Sequence, residues 1–148
     1  MNRTMDRIET EHTTKLGLSV VLRPEANTLI VRWLKESDPD TLKTAYHYVL
    51  TLAQQHRCYN WLVDIRRRNV LSPVVAKWVV SEFVHEVSKV CAKPVVKICY
   101  VASPTRMVKD AIAVFPSERE VKTRHGKVKI LTVITENDAN DWLYASHH

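Results

Sequence analysis

The sequence predicts a single-domain α/β protein, and three observations carry that prediction. A polar residue followed by proline stands between a short β-rich run and an amphipathic run three times, at Asp38-Pro39, Ser72-Pro73 and Ser103-Pro104. Asp and Ser suit a helix N-cap because their side-chain oxygens accept an orphan backbone N–H, and proline suits the first helical position because it has no N–H to lose. The three prolines are 34 and 31 residues apart, room for one helix and one strand each time. With 148 residues, folding buries roughly 70% of the surface that the unfolded chain exposes, enough for one self-sufficient core.

Taken in order, Met1 to Lys15 is polar and charged with no apolar run, and residues 1–15 are expected to precede the domain proper at 16–148. Leu18 to Leu22 and Thr28 to Leu34 are β-branched and leucine-rich, and Arg23-Pro24-Glu25-Ala26-Asn27 joins them as an antiparallel hairpin. After Asp38-Pro39, Leu42, Ala45, Tyr46, Val49, Leu50, Leu52 and Ala53 share one arc of a helical wheel, which predicts a helix lying on a sheet. Trp61 to Ile65 and Val95 to Val101 have the composition of buried central strands. Between them Val79, Val80, Phe83, Val84, Val87 and Val90 make the core arc of a second helix from Pro73 to about Lys89. A third helix is expected from Pro104 through Met107, Val108, Ala111, Ile112 and Phe115, stopped by Pro116. Val128 to Ile134 is the last strand, and Thr135 with Asp138 starts a final helix carrying Ala139, Trp142 and Leu143. The whole is a five-stranded mixed sheet with four helices in the order ββαβαβαβα.

Composition excludes several chemistries. Gly17 and Gly126 are the only glycines, so a P-loop, a Gly-x-Gly-x-x-Gly turn and a Gly-x-Ser-x-Gly elbow are all missing. Cys58, Cys91 and Cys99 are odd in number and form no Cys-x-x-Cys pair, which fits reduced thiols in cytoplasm. The histidines show no His-x-x-x-His or His-Glu-x-x-His spacing, so no metal and no cofactor is expected. His147 and His148 end the chain and read equally as native or as a tag remnant. No run approaches the roughly 20 apolar residues of a membrane span.

The net charge is +6, and all of it lies late in the chain: residues 1–64 hold eight Lys and Arg against eight Asp and Glu, residues 65–148 fourteen against eight. Lys122, Arg124, His125, Lys127 and Lys129 surround the last turn and strand, where alternation puts Lys127 and Lys129 on one solvated or edge-protecting side. No Phe, Tyr or Trp lies between Phe115 and Trp142 to stack on bases, which weighs against nucleic acid as a partner.

The element order, together with Trp61-Leu62-Val63-Asp64-Ile65-Arg66, Leu71-Ser72-Pro73 and Trp78, resembles the small uncharacterised bacterial STAS-like (SpoIIAA-like) domain proteins. In these a strand ending in Asp-x-Arg is followed by a Ser-Pro helix start and a tryptophan. Phosphorylated antagonists of that fold place Asp-Ser-Ser/Thr-Gly at the strand-to-helix junction. Here Asp64 is followed by Ile-Arg-Arg-Arg-Asn-Val-Leu-Ser72 without glycine, so the resemblance implies an interaction or ligand-binding domain more firmly than a phosphoswitch.

Two candidate surfaces follow. Asp64 ends a central strand, where ligands of open α/β sheets bind, with Arg66, Arg67, Arg68 and the Ser72 helix start close by as an anion-binding group. Structural roles compete: Asp64 pairs with a local arginine, and Ser72 simply caps a helix. The second surface comes from the wheel of the second helix, which sets Trp78 opposite the core arc among Glu82, His85 and Lys89, with Val74 one turn earlier. Val74, Val75, Trp78, Glu82 and His85 are thus a candidate interface for a protein partner or a second copy of the chain; a Trp78 folded under the Val70-Leu71 loop is the alternative. The leading functional expectation is a non-catalytic regulatory or protein-interaction domain in the cytoplasm. A binder of a small anionic or lipidic ligand at the strand carboxyl ends is the second, and a hydrolase or transferase without an identifiable catalytic set the third.

Overall fold

A computed structural model describes residues 6–8, 11–35, 37–67, 73–91, 93–104 and 118–145. The architecture is α/β around one mixed sheet. Its strands are β1 (Asp6–Ile8), β2 (Leu18–Arg23), β3 (Thr28–Trp33), β4 (Asn60–Asp64), β5 (Val95–Val101), β6 (Arg119–Thr123) and β7 (Gly126–Val133), in the spatial order β1-β2-β3-β4-β5-β7-β6. The four strands β3, β4, β5 and β7 run parallel, while β1, β2 and β6 are antiparallel to their neighbours.

The expected five strands are therefore six of five residues or more, extended by the three-residue β1. Arg119–Thr123 is not evident in the sequence because Arg-Glu-Val-Lys-Thr has no apolar alternation to give it away; it is an edge strand whose Arg119, Glu120 and Lys122 are exposed while Val121 packs against the larger core. Its presence moves β7 inward. Lys127 and Lys129 thus lie between β5 and β6, so of the two roles expected of them, solvated or edge-protecting, the edge-protecting one does not hold.

Two of the expected caps, Asp38 and Thr135, are in place. In α2 (Pro39–His56) the Thr41 N–H donates to Asp38 Oδ1 at 2.7 Å, and Leu42, Ala45, Tyr46, Val49, Leu50, Leu52 and Ala53 are all buried. The helix ends on Arg57 in the left-handed region, φ 54°, where the Cys58 N–H closes onto the Ala53 carbonyl at 2.9 Å. A short α1 (Glu11–Leu16) precedes β2. The second expected helix is broken into α3 (Pro73–Trp78), a π-helical turn (Val79–Phe83) and α4 (Val84–Cys91). The last helix, α5 (Glu136–Leu143), starts with the Asp138 N–H donating to Thr135 Oγ1 at 3.1 Å. The helix expected from Pro104 to Phe115 lies outside the described residues.

Strand alternation sorts the side chains onto two faces. Val20, Leu29, Val31, Trp33, Trp61, Val63, Ile98, Tyr100 and Ile130 pack against α2, α3 and α4 in the larger core. Here Tyr46 and Tyr100 share a hydroxyl hydrogen bond of 2.7 Å, which satisfies both buried phenols. Val21, Ile30, Leu62, Cys99 and Val101 form a smaller core under Ala139 and Leu143 of α5. At Gly126, φ 150°, a Cβ would fall on the carbonyl oxygen of Pro94, the same oxygen that accepts from the Lys127 N–H at 2.8 Å, so only glycine allows this close approach.

Candidate functional site

The carboxyl ends of β3 and β4 meet the first turn of α5, and four charged side chains close there into one network. Arg32 and Asp64 are register partners on adjacent parallel strands, so both point to the α5 face of the sheet. Arg32 Nη1 donates to Asp64 Oδ2 at 2.8 Å, and its Nη2 to Glu136 Oε1 at 2.8 Å. Arg66 donates from Nε to Asp64 Oδ1 at 3.0 Å, from Nη2 to Asp64 Oδ2 at 2.9 Å, and from Nη2 to Glu136 Oε2 at 2.8 Å. The Arg66 backbone N–H adds a bond to Asp64 Oδ1 at 3.0 Å.

Two guanidinium groups and two carboxylates leave the network without net charge. Burial pushes the Asp64 carboxyl up, but the Arg66 side chain and N–H and the Arg32 guanidinium together outweigh it and hold the group below its ordinary range. Glu136 is held low by its hydrogen bond from Arg32, against a smaller opposing effect of burial. The arginines move the other way: hydrogen bonding to Glu136 raises Arg32, and hydrogen bonding to Asp64 raises Arg66. All four groups stay ionised across the physiological range.

Of the anion-binding group expected here, Asp64 and Arg66 are brought together, but as partners of each other. Arg66 gives its Nε and Nη2 donors to carboxylates and is not turned outward to receive an anion. Arg67 is exposed on the loop, while Arg68 and Ser72 lie outside the described residues. Arg32 and Glu136 were missed. The signal for Arg32 is a charge set on the same strand face as the apolar Ile30, but nothing local ties it to a glutamate 104 residues later.

The expected interface on the second helix is corrected in two of its members. Trp78 is buried, stacked on Phe83 with ring centroids 5.2 Å apart and edge-on to Tyr46 at 5.8 Å, with the Lys43 ammonium 5.5 Å from its ring centre. Val75 is buried too, whereas Val74, Glu82 and His85 are exposed. The wheel failed because of the π turn. In a regular α-helix five residues advance about 500°, leaving i and i+5 about 140° apart, but a π turn brings i and i+5 almost into line. Trp78 and Phe83 are such a pair, and both face α2.

Cysteine chemistry is muted by burial, which raises the Cys58 and Cys91 thiols to about 11 and the Cys99 thiol to about 12. The Cys58 Sγ donates to the His56 carbonyl oxygen at 3.7 Å. Among the described residues no group of His, Cys, Asp and Glu is placed to hold a metal ion, and no helix is long and apolar enough to cross a membrane. No family model, no curated protein and no solved structure matches the chain.

Proposed function

We propose that the chain is a non-catalytic regulatory or protein-interaction domain of the STAS-like kind, and that it meets its partner at the carboxyl ends of its parallel strands. The observation that carries this reading is the placement of exposed apolar side chains. Leu34 (43% exposed) follows β3, Ile134 (44%) follows β7, and Val74 (63%) stands in the first turn of the helix that follows β4. These are three of the four large apolar side chains exposed among the described residues. Leu34 and Ile134 stand two residues along the chain from Arg32 and Glu136 of the charge-balanced network, and apolar anchors beside a satisfied polar rim are the composition of a protein-binding surface. A free anion at this end is disfavoured by the same network, whose arginines already meet carboxylates.

The test is capture. The wild-type chain, Leu34→Asp with Val74→Asp, and a distal control Lys93→Asp are used as baits in native cell extract, and bound proteins are identified by mass spectrometry. A specific partner retained by wild type and control but lost from the double variant, with all three melting alike, is the expected result. A partner held equally by all three baits would place the interface elsewhere.

A further inference from the structure

The opposite end of the sheet holds a different arrangement. An open cleft of about 640 Å³ lies between the amino ends of β4, β5 and β7 and the carboxyl end of α5, with Tyr59, Asn60, Lys97, Lys127, Lys129 and Tyr144 in its lining. Asn60, Lys97 and Lys129 are successive register partners across three parallel strands, so their side chains rise in one row from one face. Lys127 stands two residues before Lys129 on that same face.

Lys97 is the unusual member. It is only 6% exposed, and its Nζ donates to the Trp142 carbonyl at 2.9 Å while lying 5.2 Å from the centre of the Trp142 ring. An ammonium has three N–H donors, and among the described residues this carbonyl is the one hydrogen-bond acceptor it meets. No carboxylate among the described residues lies within ion-pair distance of Lys97 or of Lys129, whereas Lys127 is paired with Glu120 at 3.4 Å. Two like charges side by side in a sheet repel, and a buried cation without a counter-charge is costly. Burial and the Lys129 charge accordingly pull the Lys97 pKa down, with a smaller opposing pull from Glu118.

The remaining walls are apolar and fixed. Tyr144 is held by a 2.7 Å hydroxyl bond to Thr28, Tyr59 by the Asn27 side-chain amide at 2.8 Å, and Leu143 adds aliphatic surface. We infer that this cleft is a binding site for a small organic dianion of the phosphate monoester class, its charged group between Lys97 and Lys129 and its apolar body against Tyr59, Leu143 and Tyr144. Two unpaired ammonium groups match a double negative charge, and the volume is that of a small-molecule site. The inference is independent of the partner surface at the other end of the sheet.

The test uses phenyl phosphate, inorganic phosphate and phenol, each titrated into the full chain at ionic strength matched with sodium chloride, and read by calorimetry and by melting temperature. Phenyl phosphate is expected to bind saturably and raise the melting temperature, inorganic phosphate to bind more weakly and phenol not to bind. Lys129→Gln should weaken phenyl phosphate about tenfold or more, Lys97→Met should abolish its binding, and Lys77→Gln, on the exposed side of α3, should leave it unchanged. If Lys97→Met does not fold, Lys129→Gln decides. Absence of saturable binding by phenyl phosphate, binding unaffected by Lys129→Gln, or equal affinity for inorganic phosphate would each overturn the assignment.

Discussion

Asp64 receives four hydrogen bonds, two at each carboxylate oxygen, from three donors of Arg66 and one of Arg32. That uses the acceptor capacity of an ionised carboxylate, so a neutral amide in its place leaves guanidinium donors facing an N–H₂ group. Asp64→Asn should cost about 2 kcal/mol at neutral pH, the scale of hydrogen bonds to a charged group. Its pH dependence has a definite sign. Asp64 and Glu136 have folded pKa values below their ordinary ones, so their stabilisation is complete above the normal carboxylate range and is lost as pH falls through the depressed values. Urea melts followed from pH 7 downward should show the gap between the wild type and Asp64→Asn narrowing once the pH falls below the ordinary carboxylate range. A gap that persists at low pH would mean that shape, and not charge, carries the effect.

Elements were legible to the degree that their causes are local. The Asp38 and Thr135 caps act within three residues of themselves, and the arc of α2 read from the sequence is the buried arc. The hairpin of β2 and β3 and the buried strands β4 and β5 were equally visible. What stayed hidden depends on distant partners: the polar edge strand β6, the pairing of Arg32 with Glu136, and the π turn that lets Trp78 reach Tyr46. That turn makes a sharp expectation. It amounts to one residue more than an α-helix needs, so deleting the exposed Ser81 should convert it to regular α-helix and keep Trp78 and Phe83 on one face, now four residues apart. Deleting the exposed Thr44 from the regular α2 instead turns Ala45, Tyr46, Val49 and Leu50 away from the core by about 100°. Circular dichroism melts should show a cooperative transition for the first deletion and none for the second. Equal loss in both would assign the π turn a structural part of its own.

Across the whole molecule the two ends of the parallel strands differ in kind, one carrying the charge-balanced network and exposed apolar side chains, the other an open cleft lined by three lysines. Helix α5 spans the distance between them. Only Ala139 and Leu143 of its eight residues are buried, and a helix of that length has little stability alone. Its attachments are polar: Glu136 to Arg32 and Arg66 at the start, the Trp142 carbonyl to Lys97, the Trp142 indole to Glu118 at 2.7 Å, and Tyr144 to Thr28 at the end. Helices α2, α3 and α4 are held on the other face by a far larger apolar core. The two faces should therefore open on different clocks. Cys99 lies sealed under α5 and Cys58 in the larger core, so each thiol times the uncovering of its own side. With a dithiopyridine reagent, Glu136→Gln should speed the modification of Cys99 several-fold and leave Cys58 at its wild-type rate; equal acceleration of both would mean that the faces open together. The balance of charge at one helix end thus acts as a shutter spring, setting how often one side of the sheet is laid bare while the other stays closed.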